Sequence, residues 1–288
     1  MSGAAAARQT TATDGRRLLR RAGPTGKDGT IVRVTPDDAG WSYVGFSAHR
    51  LEPGATIRRP GAAEERLVLV LEGQATVRVG DQAFARLGNR ASVFDDTPPG
   101  IVLAAPGAAL DVRADTDTLV ALATAPAGPV ARTAAIDPAE ILVESRGSGN
   151  TSRRVRHLLP PAAEAGRLIA YEVFTPGGNW SSYPPHKQDT EDPPREAYLE
   201  EVYFYRFARP QGFALQRIYT GDRAVDEAIV ATDGDVVIVP AGYHVVAAAA
   251  GYDCYYLNVM AGPGRAWSFT VDPDHAWLMD WDASKPRR

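Results

Sequence analysis

Apolar residues alternate with small or polar ones in short runs along most of this chain, and glycine, proline or aspartate closes nearly every run. A period of two over four to eight residues predicts half-buried β-strands, and the closing residues predict sharp turns. The first set opens at Thr30-Ile-Val-Arg-Val-Thr and continues through Trp41–Leu51. It goes on through Arg66–Glu72 and Gln74–Val79, hinged at Gly73, then Arg90–Phe94, Gly100–Ala105, Leu110–Ala114 and Leu119–Ala123. A second set follows at Thr151–Leu159, Arg167–Phe174, Leu199–Phe207, Phe213–Tyr219, Ala228–Ala231, Val236–Val239 and Tyr252–Met260. Only short stretches, such as Asp137-Pro-Ala-Glu-Ile, carry a helical signal, with proline tolerated at the first helical position. The predicted fold is all-β: two antiparallel β-barrel or sandwich domains in tandem. The expected division is a tail over 1–27, a first barrel over 28–125, a connector over 126–150, a second barrel over 151–279 and a tail over 280–288. Within the lead-in, Arg16-Arg-Leu-Leu-Arg-Arg is suited to docking on the body, and in the connector Ser145–Asn150 reads as a glycine-rich loop whose Arg146 and two glycines could also line a site.

The candidate chemistry lies in the second set. In Leu199-Glu-Glu-Val-Tyr-Phe-Tyr-Arg-Phe, alternation puts Glu201, Tyr203 and Tyr205 on one face and Glu200 on the other. If the first face lines a barrel, His186, Glu201 and His244 converge from three strands, as antiparallel barrels build a metal or substrate site in their lumen. Lys187 and Asp189 alternate away from His186, toward solvent or a salt bridge. Of Gln216 and Arg217 only one can enter the lumen. Arg217 is either a bidentate clamp for a substrate carboxylate or a surface partner of Asp222 or Glu227. Tyr183, Tyr203, Tyr219 and Tyr243 are core aromatics or hydroxyl donors to a sugar chain, and Tyr243 is taken as a substrate contact. His49 and His157 lack partners in the pattern and read as structural, and His275 reads as a turn or cap residue. With His49 its only histidine, the first barrel is expected to supply packing and an interface rather than chemistry.

Composition narrows the classes further. The 288 residues are 44% hydrophobic and 23% charged, with a formal net charge of -4. That balance suits a globular chain and gives no electrostatic reason to expect nucleic acid or an anionic membrane as partner. One cysteine, Cys254, precludes an intrachain disulfide framework. No run of 18 apolar residues exists to form a transmembrane helix. The alanine-rich start lacks the apolar core of a secretory signal, so a cytoplasmic location is expected. Free strand edges leave a homo-oligomer open.

Several segments together resemble the cupin superfamily and, more closely, the 5-deoxy-glucuronate isomerases of bacterial inositol catabolism. They are Pro184-Pro-His-Lys-Gln-Asp, Leu199–Arg206, Gly212–Tyr219, Gly234–His244, Tyr255–Gly262 and Trp267. The likeness also takes in Gly73, Gly88 and Arg90–Phe94, and so spans about residues 28–279. It implies a bicupin and an aldose–ketose isomerisation of 5-deoxy-D-glucuronate to 5-dehydro-2-deoxy-D-gluconate, assisted by a divalent ion such as zinc or manganese. It further implies His186, Glu201 and His244 as metal ligands. In the family a second histidine follows the first with one residue between; here Gln188 stands there, a provisional and weaker fourth ligand. Three other readings stay open at this point: an isomerase of 5-keto-4-deoxyuronate, a sugar-acid-binding cupin without turnover, and an iron-dependent dioxygenase.

Overall fold

The strand pattern closes into two pairs of facing sheets, one pair per half of the chain. The computed structural model describes residues 18–128, 132–160 and 163–285, so residues 1–17 of the expected tail lie outside the described part. In the first lobe a six-stranded sheet runs in the order Ala134–Ala135, Gly100–Ala104, Glu64–Glu72, Thr118–Pro126, Gly45–Leu51, Thr30–Val34. It faces a four-stranded sheet of Thr56–Arg59, Leu110–Ala114, Ala75–Val79 and Gln82–Leu87. The second lobe repeats the plan. Its seven-stranded sheet runs Leu19–Arg20, Val236–Val239, Glu200–Phe207, Cys254–Ala261, Ile169–Thr175, Arg153–His157, Leu142–Arg146. The facing five-stranded sheet runs Asp226–Thr232, Phe213–Tyr219, Tyr243–Ala248, Trp180–Lys187, Thr270–Val271. Every pairing is antiparallel.

The two large sheets pack back to back, which explains why their central strands are apolar on both faces. Leu67, Leu69 and Leu71 point into a core shared with Val202, Phe204 and Leu257 of the second lobe. Val68 and Val70, between them in sequence, fill the interior of the first lobe with Ile57, Val77 and Val112. A strand buried on both faces reads as a continuous apolar run, as Leu67–Leu71 does. Phe46 meets Phe204 across the seam, ring centres 5.7 Å apart.

Polar groups lock this seam reciprocally. Glu65 of the first lobe accepts hydrogen bonds from the backbone N–H groups of Gly166, Arg167 and Leu168 at 2.5–2.8 Å. Glu200 of the second accepts from those of Ser42, Tyr43 and Val44 at 2.6–2.9 Å. Arg90 crosses the same seam to Glu172, at 2.5 Å with both side chains wholly buried, and Tyr255 donates its hydroxyl to the same carboxylate at 2.9 Å.

Four expectations need correction. Part of the supposed tail is structural: Leu18 is 1% exposed, and Leu19–Arg20 pairs with Val236 and Val237 as an edge strand of the second lobe. The two leucines are flanked by arginines, and Arg21 binds Asp235 at 2.7 Å, so the apolar pair is inserted while the charges stay at the rim. The connector is divided between the lobes, Ala134–Ala135 extending the first large sheet and Leu142–Arg146 the second. Arg90–Phe94 is not a strand, because the Asp95 carboxylate accepts from the N–H groups of Ala91 and Ser92 and turns the chain. The C-terminal stretch is tied down by Asp282, which accepts from the Ser148 hydroxyl at 2.8 Å.

Removing one partner of a buried ion pair leaves the other charge uncompensated. Arg90→Ala should therefore lower the unfolding free energy by about 3–5 kcal/mol, read from urea denaturation. A loss below about 1 kcal/mol would show that the pair does not hold the lobes together.

Candidate active site

The second lobe opens between its two sheets into a cavity of about 320 Å³. Glu201 reaches its floor from the middle of a strand whose other face, through Glu200, is committed to the first lobe. His186 arrives from the opposite sheet, where the pairing with the Tyr243–Ala248 strand breaks between Ser181 and His186. Such an irregularity re-aims a side chain. His244 sits across from His186 in the same ladder, with the two rings 4.7 Å apart. The turn before His244 is held from outside: Asp189 accepts from the N–H of Gly242, whose φ of 92° favours a glycine, and from Lys187 at 2.5 Å. Lys187 and Asp189 are thus salt-bridged and support the site from behind.

Each imidazole has its Nδ1 beside the carbonyl of the residue two before it. His186 lies 2.8 Å from Pro184 and His244 3.5 Å from Gly242. A proton held on Nδ1 leaves Nε2 as the nitrogen available to the site. His244 Nε2 lies 3.6 Å from Glu201 and 2.8 Å from the Tyr203 hydroxyl. Glu201 also accepts from the Gln188 amide and, at 3.2 Å, from Asn258. The Gln188 carbonyl oxygen is buried with no hydrogen-bond partner. The Ser182 hydroxyl joins those of Tyr203 at 3.2 Å and Tyr256 at 3.3 Å.

Burial dominates the electrostatics. It pushes both imidazoles down to about 4, and for His186 the neighbouring His244 adds to the effect. It raises the Glu201 carboxyl against the opposing pull of His186. Two neutral imidazoles, a carboxylate and an orphaned amide oxygen form the kind of mixed nitrogen–oxygen donor set that a divalent cation takes. Among the described residues no group of three or more His, Cys, Asp or Glu side chains is arranged to hold a metal ion, and the Gln188 oxygen is a further polar atom beside these groups.

Two residues singled out in the sequence fall elsewhere. Arg217 points outward at 44% exposure and grips Asp226 bidentately, at 2.7 and 2.8 Å, rather than Asp222 or Glu227. Its neighbour Gln216 takes the inward face and accepts from Tyr205 at 2.8 Å. Tyr243 stacks on Tyr219 with ring centres 5.5 Å apart, on the side of its strand away from His244, and does not line the cavity. Two arginines line the cavity: Arg146, which the sequence left open as a site residue, and Arg153, which it did not mark. Arg153 is half-buried and donates to the carbonyls of Thr151 and Tyr183, each at 3.0 Å; among the described residues it meets no carboxylate. Arg146, from the supposed connector loop, lies over the Trp267 ring at 5.0 Å and pairs with Glu144. Their only sequence signal is the alternation Arg146, Ser148 and Thr151, Arg153 around a turn, which does not distinguish a lumen arginine from a solvated one. His49 and His157 are structural: His49 is bonded to Ser47 at 2.9 Å and His157 to Glu144 at 2.7 Å. His275 lies in a short 3₁₀ helix capped by Asp272.

The sequence matches the KduI/IolB family over residues 18–278. The chain belongs to this family. Among its KduI/IolB relatives are the 5-deoxy-glucuronate isomerases of Geobacillus kaustophilus, 45% identical over 92% of this chain and 96% of that protein, and of Listeria innocua, 44% identical over 88% and 94%. An IolB-like protein of Salmonella typhimurium superposes with a TM-score of 0.87 at 44% identity, covering 91% of this chain and 99% of the other. A Bacillus subtilis oxalate decarboxylase variant shares the fold at a TM-score of 0.61 and 13% identity, over 88% and 79% of the two chains. The expected all-β, two-lobed cupin architecture is therefore the one observed. No helix among the described residues is long and apolar enough to cross a membrane.

His49, His186 and His244 share a folded-state value near 4 against an ordinary 6.5. Between those values the unfolded chain binds more protons, so their stability contribution is complete above pH 6.5 and is lost as pH falls toward 4. Each can steepen the slope by up to about 1.4 kcal/mol per pH unit. Urea unfolding of chelator-treated protein should therefore show lower stability near pH 5 than near pH 7, with a shallower dependence in His49→Asn. A flat profile would contradict the burial of these imidazoles as neutral groups.

Proposed function

We propose that this chain is a 5-deoxy-glucuronate isomerase, converting 5-deoxy-D-glucuronate to 5-dehydro-2-deoxy-D-gluconate in inositol breakdown with the help of a divalent cation. One observation carries the reading beyond kinship. His186 and Glu201, with the buried His244 3.6 Å from Glu201, lie in the same cavity wall as Arg153, a cation with no carboxylate partner among the described residues. The substrate has matching ends, an aldehyde beside a hydroxyl at one and a carboxylate at the other.

His186, His244, Glu201 and the orphaned Gln188 oxygen are the residues that would hold the cation, zinc or manganese being the ions to test first. When bound, it supplies electrostatic stabilisation for the negative charge that develops on the two neighbouring oxygens. The remaining work falls to the chain. Arg153 binds the substrate carboxylate, and the guanidinium of Arg146 over Trp267 builds the wall beside it. Tyr171, Trp267 and Phe269 form an apolar side that limits water at the reacting end. Glu201 is the one carboxylate among the cavity-lining residues and carries the proton between adjacent carbons, its raised affinity for protons suiting it to give the proton back. The Tyr203 hydroxyl, bonded to Ser182 and His244, exchanges protons with the substrate oxygens.

The decisive experiment follows 5-deoxy-D-glucuronate by NMR with zinc- or manganese-loaded protein. Appearance of the keto acid is expected; an unchanged spectrum with metal confirmed bound would refute the assignment. Arg153→Ala should raise KM about 10- to 100-fold while lowering kcat less, since the lost contact is made in ground and transition states alike. An unaltered KM would move the carboxylate elsewhere. Glu201→Ala should lose metal retention and turnover together, and Gln188→His should tighten metal binding in a competitive chelator titration. Equal affinity in wild type and Q188H would remove Gln188 from the ligand set.

A further inference from the structure

The strands of the first lobe have counterparts in the second, which adds one strand to each sheet, and the repeat can be read at the level of single positions. In the large sheets, Glu64–Glu72 occupies the place of Glu200–Phe207, each flanked by equivalent neighbours in the sheet order. Glu65 and Glu200 are then counterparts, because each reaches across the seam to three backbone N–H groups of the other lobe. The residue after each turns into its own lobe: Glu201 in the second, Arg66 in the first. In the small sheets, the pair Arg59 and Leu110 closes the end of its ladder as His186 and His244 do in theirs. The positions corresponding to His186, Glu201 and His244 are thus Arg59, Arg66 and Leu110.

Those three line a second cavity, of about 290 Å³, at the mouth of the first lobe. Arg33 joins them from the edge strand, paired with Ser47, and Thr124 from the strand that pairs with Arg66. Gly45 keeps the space open between them, since a Cβ there would collide with the Thr124 hydroxyl. Arg66 is 5% exposed and is already paired with Glu64 at 2.8 Å. Arg33 and Arg59 meet no carboxylate among the described residues, and Arg59 donates only to the carbonyl of Arg58. His49, beside both, is held neutral by burial and by their charge. The cavity therefore carries two cations in excess, where the second lobe has a cation site.

We infer that the first lobe binds a small oxyanion, a compact organic acid or a phosphate, between Arg33 and Arg59. The cupin frame would then hold charge of one sign in each lobe: a metal cation in the second, an anion in the first. Guanidiniums suit this ligand because their paired N–H donors match carboxylate and phosphate oxygens. The expectation that the first lobe only packs is replaced by one of a regulatory or auxiliary binding site.

The test is isothermal titration of the full chain with inorganic phosphate and, separately, with malonate, in chloride buffer at matched ionic strength. At least one should bind wild type with saturation, and R33Q/R59Q should weaken that binding by about tenfold or more. Binding of malonate alone names an organic acid as the ligand class, and binding of phosphate alone names a phosphate. Arg153→Ala removes the carboxylate contact proposed for the other lobe, and saturable binding sensitive to R33Q/R59Q should persist in it. Removing crowded like charges should not destabilise the free protein; should the double variant nevertheless fail to fold, the single variant Arg59→Gln is read in its place. No saturable heat with either anion, equal binding by the arginine variants, or loss of binding in R153A would each overturn the inference.

Discussion

Adjacent residues of a β-strand must point to opposite faces, and the strand Glu200–Phe207 turns that constraint into the organising feature of the molecule. Both its faces are buried, so its two consecutive glutamates each need an environment of their own. Glu200 finds three backbone N–H groups of the first lobe, and Glu201 finds Gln188, Asn258 and His244 inside the second. A slip of one residue would exchange the two carboxylates between lobe interface and active site, leaving both uncompensated. The register is held by Val202, Phe204 and Leu257 in the shared core and by the ladders to Val236–Val239 and Cys254–Ala261. Lobe docking and site geometry are therefore specified by the same few hydrogen bonds.

The site gains its character from being dry. Burial keeps both imidazoles neutral and raises the affinity of Glu201 for protons, the states in which two nitrogens and one carboxylate can serve a cation and a migrating proton. The same burial makes the Gln188 oxygen, which has no hydrogen-bond partner among the described residues, costly to leave unmet. Arg153, which lines the same cavity, is held by the backbone carbonyls of Thr151 and Tyr183.

The first lobe shows what the frame does without these donors. Its interior is filled by Val68, Val70, Val77 and Val112 up to the mouth, where Arg66 lines the cavity as Glu201 does in the second lobe. Reciprocal insertion of Glu65 and Glu200 makes the lobes mutually dependent for folding, while each keeps a separate cavity. Each lobe thus keeps its own set of cavity-lining charges, Arg146, Arg153 and Glu201 in the second and Arg33, Arg59, Glu64 and Arg66 in the first.

Much of this was determined by the sequence alone. Period-two runs and turn residues specify an all-β chain in two repeats, because strand pleating converts alternation directly into faces. The same alternation separates Glu201 from Glu200 and Gln216 from Arg217, and the run Gly234–His244 announces the turn that delivers His244. Tertiary structure decided the rest. Whether Arg217 or Arg153 faces the cavity depends on which side of each strand meets the opposite sheet, and local pattern is blind to that choice. The second lobe's use of Leu19–Arg20 rests on pairing with Val236 and Val237, far along the chain, and the division of the connector rests on which neighbouring strand each part meets, Leu103 for Ala134 and His157 for Leu142. The first-lobe arginines belong to three strands in two different sheets, and only the closing of those sheets on one another brings their charges together.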